Sequence, residues 1–235
     1  MPAVQPARRV IWADQRTQTM HAFMSYQTDD RAIAAKVSDL LGKIGITSFM
    51  AHEHIEVSVE WRIEILRQLG LADLFVPILS KKYYGSIWCK QESGIAAFRD
   101  ITIIPLSIDG SIPEGFLGHI QSTRVSNDEP TFKNLFPGLA KQDISFLIEA
   151  ITKIISSSGN YRTAESNFEL ILPYVDRATD AQMTELLKVS TQNNQVCNAG
   201  LCAQTYLPPL LASHGHLLDA ATKKELIETL NRYRR

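Results

Sequence analysis

From His21 onward, apolar and polar positions follow two alternating rhythms. "HAFMSY" is a short apolar run that ends in polar residues, as a strand does. In "RAIAAKVSDLLGKIG", Ile33, Val37, Leu40, Leu41 and Ile44 recur at helical spacing. Gly45 stops that helix, and Asp29 or Asp30 is placed to cap its start. "ITSFMA" is a second strand, followed by the polar loop "HEHIEVS"; Ser58 is placed to cap a helix over "VEWRIEILRQLG". "LFVPIL" is a continuous apolar run, as expected of a strand buried on both faces. Pro77 within it removes a ladder bond, which predicts a bulge or a local irregularity there. Next come "SKKYYGS", a helix to about Phe98, a fourth strand in "ITIIPLSI", and a loop with Pro113 and Gly115. "STRV" is a short fifth strand, and "QDISFLIEAITKII" a helix with Ile144, Leu147, Ile148, Ile151 and Ile155 on its apolar side.

Strands alternating with helices through short connections predict an α/β fold, a parallel sheet with helices on both faces. "SSSGN", residues 156–160, is a linker by composition. Beyond it the pattern is all helical, in "AESNFELILPYV", "DAQMTELLKVSTQ", "VCNAGLCAQTYLPPLLASHG" and "AATKKELIETLNRY". Pro208 and Pro209 are expected to break the third of these. Roughly 75 residues of helix are too few for a robust core of their own, so this tail is expected to pack on the first domain or on a second copy. The expected division is therefore a leader over residues 1–19, an α/β domain over 20–157 and a small all-α region over 161–235.

Composition narrows the function classes. Of 235 residues, 45% are hydrophobic and 21% charged, the profile of a soluble globular protein. The formal net charge of −1 gives no global field to attract nucleic acid or an anionic membrane. Cys89, Cys197 and Cys202 are odd in number and lack paired spacing, which points to a reducing compartment, the cytoplasm. The first residues hold no apolar core of signal-peptide length. His52 and His54 bracket Glu53 in the pattern of a partial metal site, but further ligands are absent nearby, so the expectation is no metal.

Ligands of an open α/β sheet bind at the carboxyl ends of its strands. The segments there are "SYQTDD", "AHEHIEVS", "SKKYYGSIWCKQE" and "DGSIPEG", which gather Tyr26, Gln27, His52, Trp88 and Glu92 around one rim. Trp88 and Glu92 lie four apart in a helix and share a face. These segments carry a resemblance. "AFMSYQTDD" resembles the first box of Toll/interleukin-1 receptor (TIR) domains, and "GITSFMAHEHIEVSVEWRIEI" their second strand, following loop and helix. "SIWCKQE" resembles the tryptophan–cysteine–x–x–glutamate signature of enzymatic bacterial and plant TIR domains. The resemblance covers about residues 20–155.

The resemblance implies a five-stranded flavodoxin-like sheet and, as in many prokaryotic members, cleavage of NAD⁺ as substrate, with no bound cofactor. Its catalytic glutamate maps onto Glu92, and its nucleotide-lining positions onto Tyr26, Gln27 and the stretch 49–55; the candidate substrate-binding residues are Ser25, Tyr26, Gln27, Phe49, His52 and Trp88. Gln27 stands where many members carry arginine, so one phosphate contact lacks its usual donor. The implied partners are other TIR domains through self-association and a separate effector that senses the product; the implied setting is bacterial anti-phage defence.

The chemistry suits one carboxylate. Glycosidases commonly use two, one of them an acid for a poor leaving group. Nicotinamide departs from a cationic pyridinium as a neutral molecule and needs no proton. A nearby anion stabilises the oxocarbenium-like ribose left behind. Glu92 is then a stabiliser or a transient nucleophile, and Trp88 an apolar wall or a core aromatic. Cys89 is expected to face away from Glu92 as a buried structural thiol. Two other readings are a non-enzymatic interaction module assembling through "HEHIEVS", and a nucleoside deoxyribosyltransferase acting on a similar bond. Asp29 and Asp30 also fit the acidic cluster of receiver domains, but the third strand ends "PILSKK" without a phosphoacceptor aspartate, so helix capping accounts for them better.

Overall fold

The computed structural model describes residues 19–50 and 61–233. The expected cap Ser58 and the loop carrying His52 and His54 lie outside the described residues, as does most of the leader. The central strand β3, Leu74–Leu79, is buried along its whole length, which is why its sequence is an unbroken apolar run. On one side it pairs in parallel with β1, His21–Ser25, and β1 with β2, Thr47–Met50. On the other side lie β4, Thr102–Ile103, then β5, Leu106–Ser107, and beyond β5 the short β6, Thr123–Arg124. The order is β2-β1-β3-β5-β6 with β4 also on β3. This is the flavodoxin-like arrangement, its fourth strand written in two pieces.

The split decides between the two expectations for Pro77. It does not bulge; β3 runs straight through it, opposite Ser25 of β1. The irregularity falls on its neighbour. Phe75 pairs with Ile103 and Ile78 with Leu106, so Pro77 and Pro105 fall at the same level of an unshifted register. Neither residue has an N–H to give, and the ladder opens between them.

Side chains alternate across the sheet. Ala22, Met24, Tyr26, Leu74, Val76 and Ile78 face one side, under α1 (Arg31–Lys43), α4 (Phe132–Gln142) and α5 (Ile144–Ser156). Phe23, Phe49 and Phe75 face the other, under α2 (Trp61–Leu71) and α3 (Ile87–Phe98). The sequence pattern did not yield α4, because Pro137 and Gly138 sit inside it. Gly138 has a physical role: a Cβ there would lie 2.6 Å from Ile104 Cγ1, at the gap between β4 and β5.

The helical tail packs on the α/β layer. It comprises α6 (Tyr161–Glu169), α7 (Asp180–Gln192), α8 (Asn194–Cys197), α9 (Leu207–His214) and α10 (Ala220–Asn231). One continuous hydrophobic cluster runs from Ala22 in the sheet through Ile151 and Ile155 of α5 to Phe168, Leu187 and Leu230. Residues 156–160, linker-like in composition, are tied down: Asn193 Nδ2 donates to the carbonyls of Ser156 and Ser158 at 2.9 and 3.0 Å. Pro208 and Pro209 do not break their helix. They occupy the first turn of α9, directly after a π-helical stretch, Cys202–Tyr206. Their missing N–H groups account for the disturbed ladder at that point. Among the described residues no helix is long and apolar enough to cross a membrane.

Candidate active site

Helix α3 begins because Ser86 turns extended (φ −83°, ψ 123°) and its hydroxyl accepts from the Cys89 N–H at 3.3 Å. That start sets Glu92 in the second turn, directed at the carboxyl end of β1. There Ser25, on the same sheet face as Phe23, donates its hydroxyl proton to Glu92 Oε2 at 2.6 Å. Glu92 is 5% exposed. Among the described residues its hydrogen-bond partner is a hydroxyl and not a cation. Burial pushes its carboxyl up to about 7, and the Ser25 hydrogen bond opposes that rise.

Two further hydroxyls back the pair. Tyr83 lies in the turn after β3, wholly buried, with its hydroxyl 3.0 Å from Ser25 Oγ and 2.8 Å from Ser93 Oγ. Glu92 also reaches a cleft of about 670 Å³ between α2 and α3. Arg62, Ile65 and Leu66 line it from α2, and Ile87, Trp88, Gln91 and Ile95 from α3. This volume lies in the range of small-molecule sites. Trp88 is 40% exposed and meets Trp61 edge-on, ring centroids 4.2 Å apart, so the two indoles join the helix starts at the cleft.

The sequence-predicted residues divide. Ser25, Trp88 and Glu92 come together as described. Tyr26, Gln27 and Phe49 are not among the residues lining the cleft. Strand alternation sends Tyr26 to the opposite sheet face, into the cluster that holds Ile33 and Val37. Gln27 Oε1 instead accepts from the Asp29 N–H at 2.8 Å and caps the turn Thr28–Asp30. Phe49 is buried against Phe23, ring centroids 5.5 Å apart. His52 lies outside the described residues.

Other expectations also change. Cys89 does not face away from Glu92; it is buried next to Tyr83, close enough to interact with both Ser25 and Glu92. Burial pushes its thiol up to about 11, which suits a structural thiol and not a nucleophile. Asp30 occupies the position before α1 but makes no side-chain cap; it accepts from Ser80 Oγ at 2.7 Å. Asp29 pairs with Lys82 at 2.5 Å, both exposed. Among the described residues no group of three or more His, Cys, Asp or Glu gathers that could hold a metal ion.

Sequence reasoning missed Tyr83, Ser93, Trp61 and Arg62. A weak signal existed for the first: "KKYYGS" puts aromatic hydroxyls just past the central strand. Nothing in it distinguishes Tyr83, which turns inward, from Tyr84, whose hydroxyl donates to the Ile112 carbonyl at 2.7 Å.

The arrangement can hold a carboxylate near its ionisation midpoint at neutral pH, at the edge of a half-apolar cleft with an indole wall. Residues 22–136 match the family described as TIR domain. No curated protein matches the chain.

Proposed function

The chain carries a TIR domain over residues 22–136, and from that premise we propose that it cleaves the nicotinamide–ribose bond of NAD⁺. The observation that carries the reading is the buried Glu92 carboxylate, held by Ser25 at the edge of a cleft large enough for a nucleotide. A domain serving only as an adaptor gains nothing from a buried carboxylate that has no cationic partner among the described residues, since such a group lowers the stability of the fold.

In this reading NAD⁺ places its nicotinamide riboside against Trp88 and Glu92. The C1′–N bond breaks, and its electron pair returns to the pyridinium nitrogen, so nicotinamide leaves neutral. The ribosyl cation left behind is stabilised by ionised Glu92 in a site of low polarity. Water captures it to give ADP-ribose, or an adenine nitrogen captures it to give a cyclic isomer; either path releases one proton. Arg62 on the cleft wall is available to the pyrophosphate. Depletion of NAD⁺, or a cyclic product sensed by a separate effector, fits a role in bacterial anti-phage immunity. Self-association accompanies catalysis: α2 turns Ile63, Leu66 and Leu71 outward at 59%, 48% and 47% exposure, beside the cleft.

The test is purified full-length chain, free and forced into clusters, incubated with NAD⁺ and resolved by mass spectrometry. Clustered wild type is expected to release nicotinamide, and Glu92→Gln to lose at least about a hundredfold in rate, the loss typical of removing a transition-state stabiliser. Retained activity in Glu92→Gln would remove Glu92 from the mechanism.

A further inference from the structure

The hydroxyl beside Glu92 is the first of three. Ser25 has one proton and donates it to Glu92 Oε2. At its 3.0 Å contact with Tyr83, the tyrosine is therefore the donor. Tyr83 also has one proton, so at the 2.8 Å contact Ser93 Oγ donates to it. The 3.4 Å contact of Tyr83 with the Cys89 carbonyl is the weaker use of that proton. All three bonds point toward the carboxylate. This order suits an ionised Glu92; a protonated Glu92 reverses it.

The two ends of the chain open in different places. Glu92 lines the cleft between α2 and α3. Ser93, the next residue of α3, lines a separate hollow of about 280 Å³ with Tyr84, Lys90, Glu114 and Phe116; Tyr83 borders it too but is fully buried. Successive residues of a helix point roughly 100° apart, which is how one helix serves both cavities.

We propose that Ser25, Tyr83 and Ser93 form a proton route that discharges Glu92 into the hollow beside Lys90 and Glu114, bypassing the substrate cleft. It rests on the reading of Glu92 as the group facing the reacting ribose. Capture of the ribosyl cation releases a proton, and Glu92 is the base at hand. Protonated Glu92 passes its proton to Ser25 Oγ, Ser25 passes its own to Tyr83, Tyr83 to Ser93, and Ser93 to solvent in the hollow. Each hydroxyl ends with one proton. Each hydrogen bond has reversed, and the carboxylate again accepts from Ser25, the orientation that an ionised Glu92 imposes. Burial holds the Tyr83 phenol far above its ordinary range, so it serves as a hydroxyl and not a phenolate. Among the described residues, the titratable or charged groups around Glu92 are Tyr83 after β3, Cys89 one turn earlier on α3, and Arg62 across the cleft on α2.

The experiment follows the ¹³C-labelled carboxyl of Glu92 by NMR titration in the full chain, alongside turnover of clustered protein. In Tyr83→Phe, which keeps the ring, the Glu92 pKa is expected to rise by about one unit, because Ser25 loses its donor. In Ser93→Ala the carboxyl titration stays near wild type, while kcat falls severalfold with KM unchanged. Ser93→Thr restores kcat. An unmoved titration in Tyr83→Phe, full kcat in Ser93→Ala, or a defect that Ser93→Thr leaves in place overturns the route. If clustered wild type cleaves no NAD⁺, the proposed function fails separately, and the Tyr83→Phe titration alone then decides whether the hydroxyl chain governs Glu92.

Discussion

A carboxylate that is 5% exposed and, among the described residues, accepts from one hydroxyl has lost most of its hydration, and Glu92 shows the consequence in its raised pKa. The unfolded chain releases the Glu92 proton near 4.5, the fold near 7. Below pH 4.5 the group is neutral in both states and contributes nothing. As pH climbs between the two values, the unfolded state loses its proton first and stability falls; above 7 the loss levels off at about 3 kcal/mol. Glu92→Gln cannot ionise, so its unfolding free energy relative to wild type should grow by about that amount from pH 4.5 to pH 8, read by urea denaturation at each pH. A flat difference across that range would mean Glu92 is solvated. Catalysis should run the opposite way, because in the proposed reaction the ionised form is the stabiliser: kcat/KM of clustered protein should rise toward a plateau with a midpoint near 7. Ser25→Ala, which removes the hydrogen bond that opposes the burial effect, should move that midpoint to higher pH.

At the scale of elements, two contacts position α3 and α4. Trp61 and Trp88 meet edge-on across the starts of α2 and α3. Trp88→Ala should cost about 1 kcal/mol of stability, the worth of an aromatic pair, and raise KM for the proposed substrate NAD⁺ because the cleft loses its wall. A KM unchanged in Trp88→Ala would reassign the indole to packing alone. Gly138 lets α4 approach the opening between β4 and β5. Alanine has the better helix propensity by about 1 kcal/mol, yet its methyl would collide with Ile104, a β-branched side chain with little room to yield. Gly138→Ala should therefore destabilise by roughly 1–2 kcal/mol net, measured by denaturant midpoint. A stabilised variant would show that Ile104 moves freely.

At the scale of the whole molecule, the tail and the α/β layer share a core. Helix α5 buries Leu147, Ile148, Ile151 and Ile155, and packs against α4, α6 and α7. Ending the chain at residue 157 would uncover the face that α6 and α7 occupy. The truncated protein should lose its cooperative thermal transition or become insoluble, as checked by calorimetry and sedimentation. A truncated form with the wild-type transition would show that the helical tail adds nothing to the stability of the α/β layer.

Local periodicity was enough to read the strands, most of the helices and the parallel order from the chain, because those depend on which neighbours a residue has along the sequence. It also brought Trp88 and Glu92 to one rim, and the resemblance of "SIWCKQE" singled out Glu92. Where strand phase mattered, the sequence reading went astray: Tyr26 is one residue from Ser25, yet alternation places it on the opposite sheet face. Where a proline's effect passes to a neighbour, the sequence left the form open, since Pro77 opens the ladder together with Pro105, and not by a bulge of its own. Pro137 and Gly138 hid α4 because their penalties are local, while the packing that offsets them is remote. The ionisation of Glu92 belongs wholly to the tertiary structure. Burial and the donor from Ser25 arise from segments 67 residues apart, and solvent exclusion is a property of the packed assembly, which no stretch of sequence expresses alone.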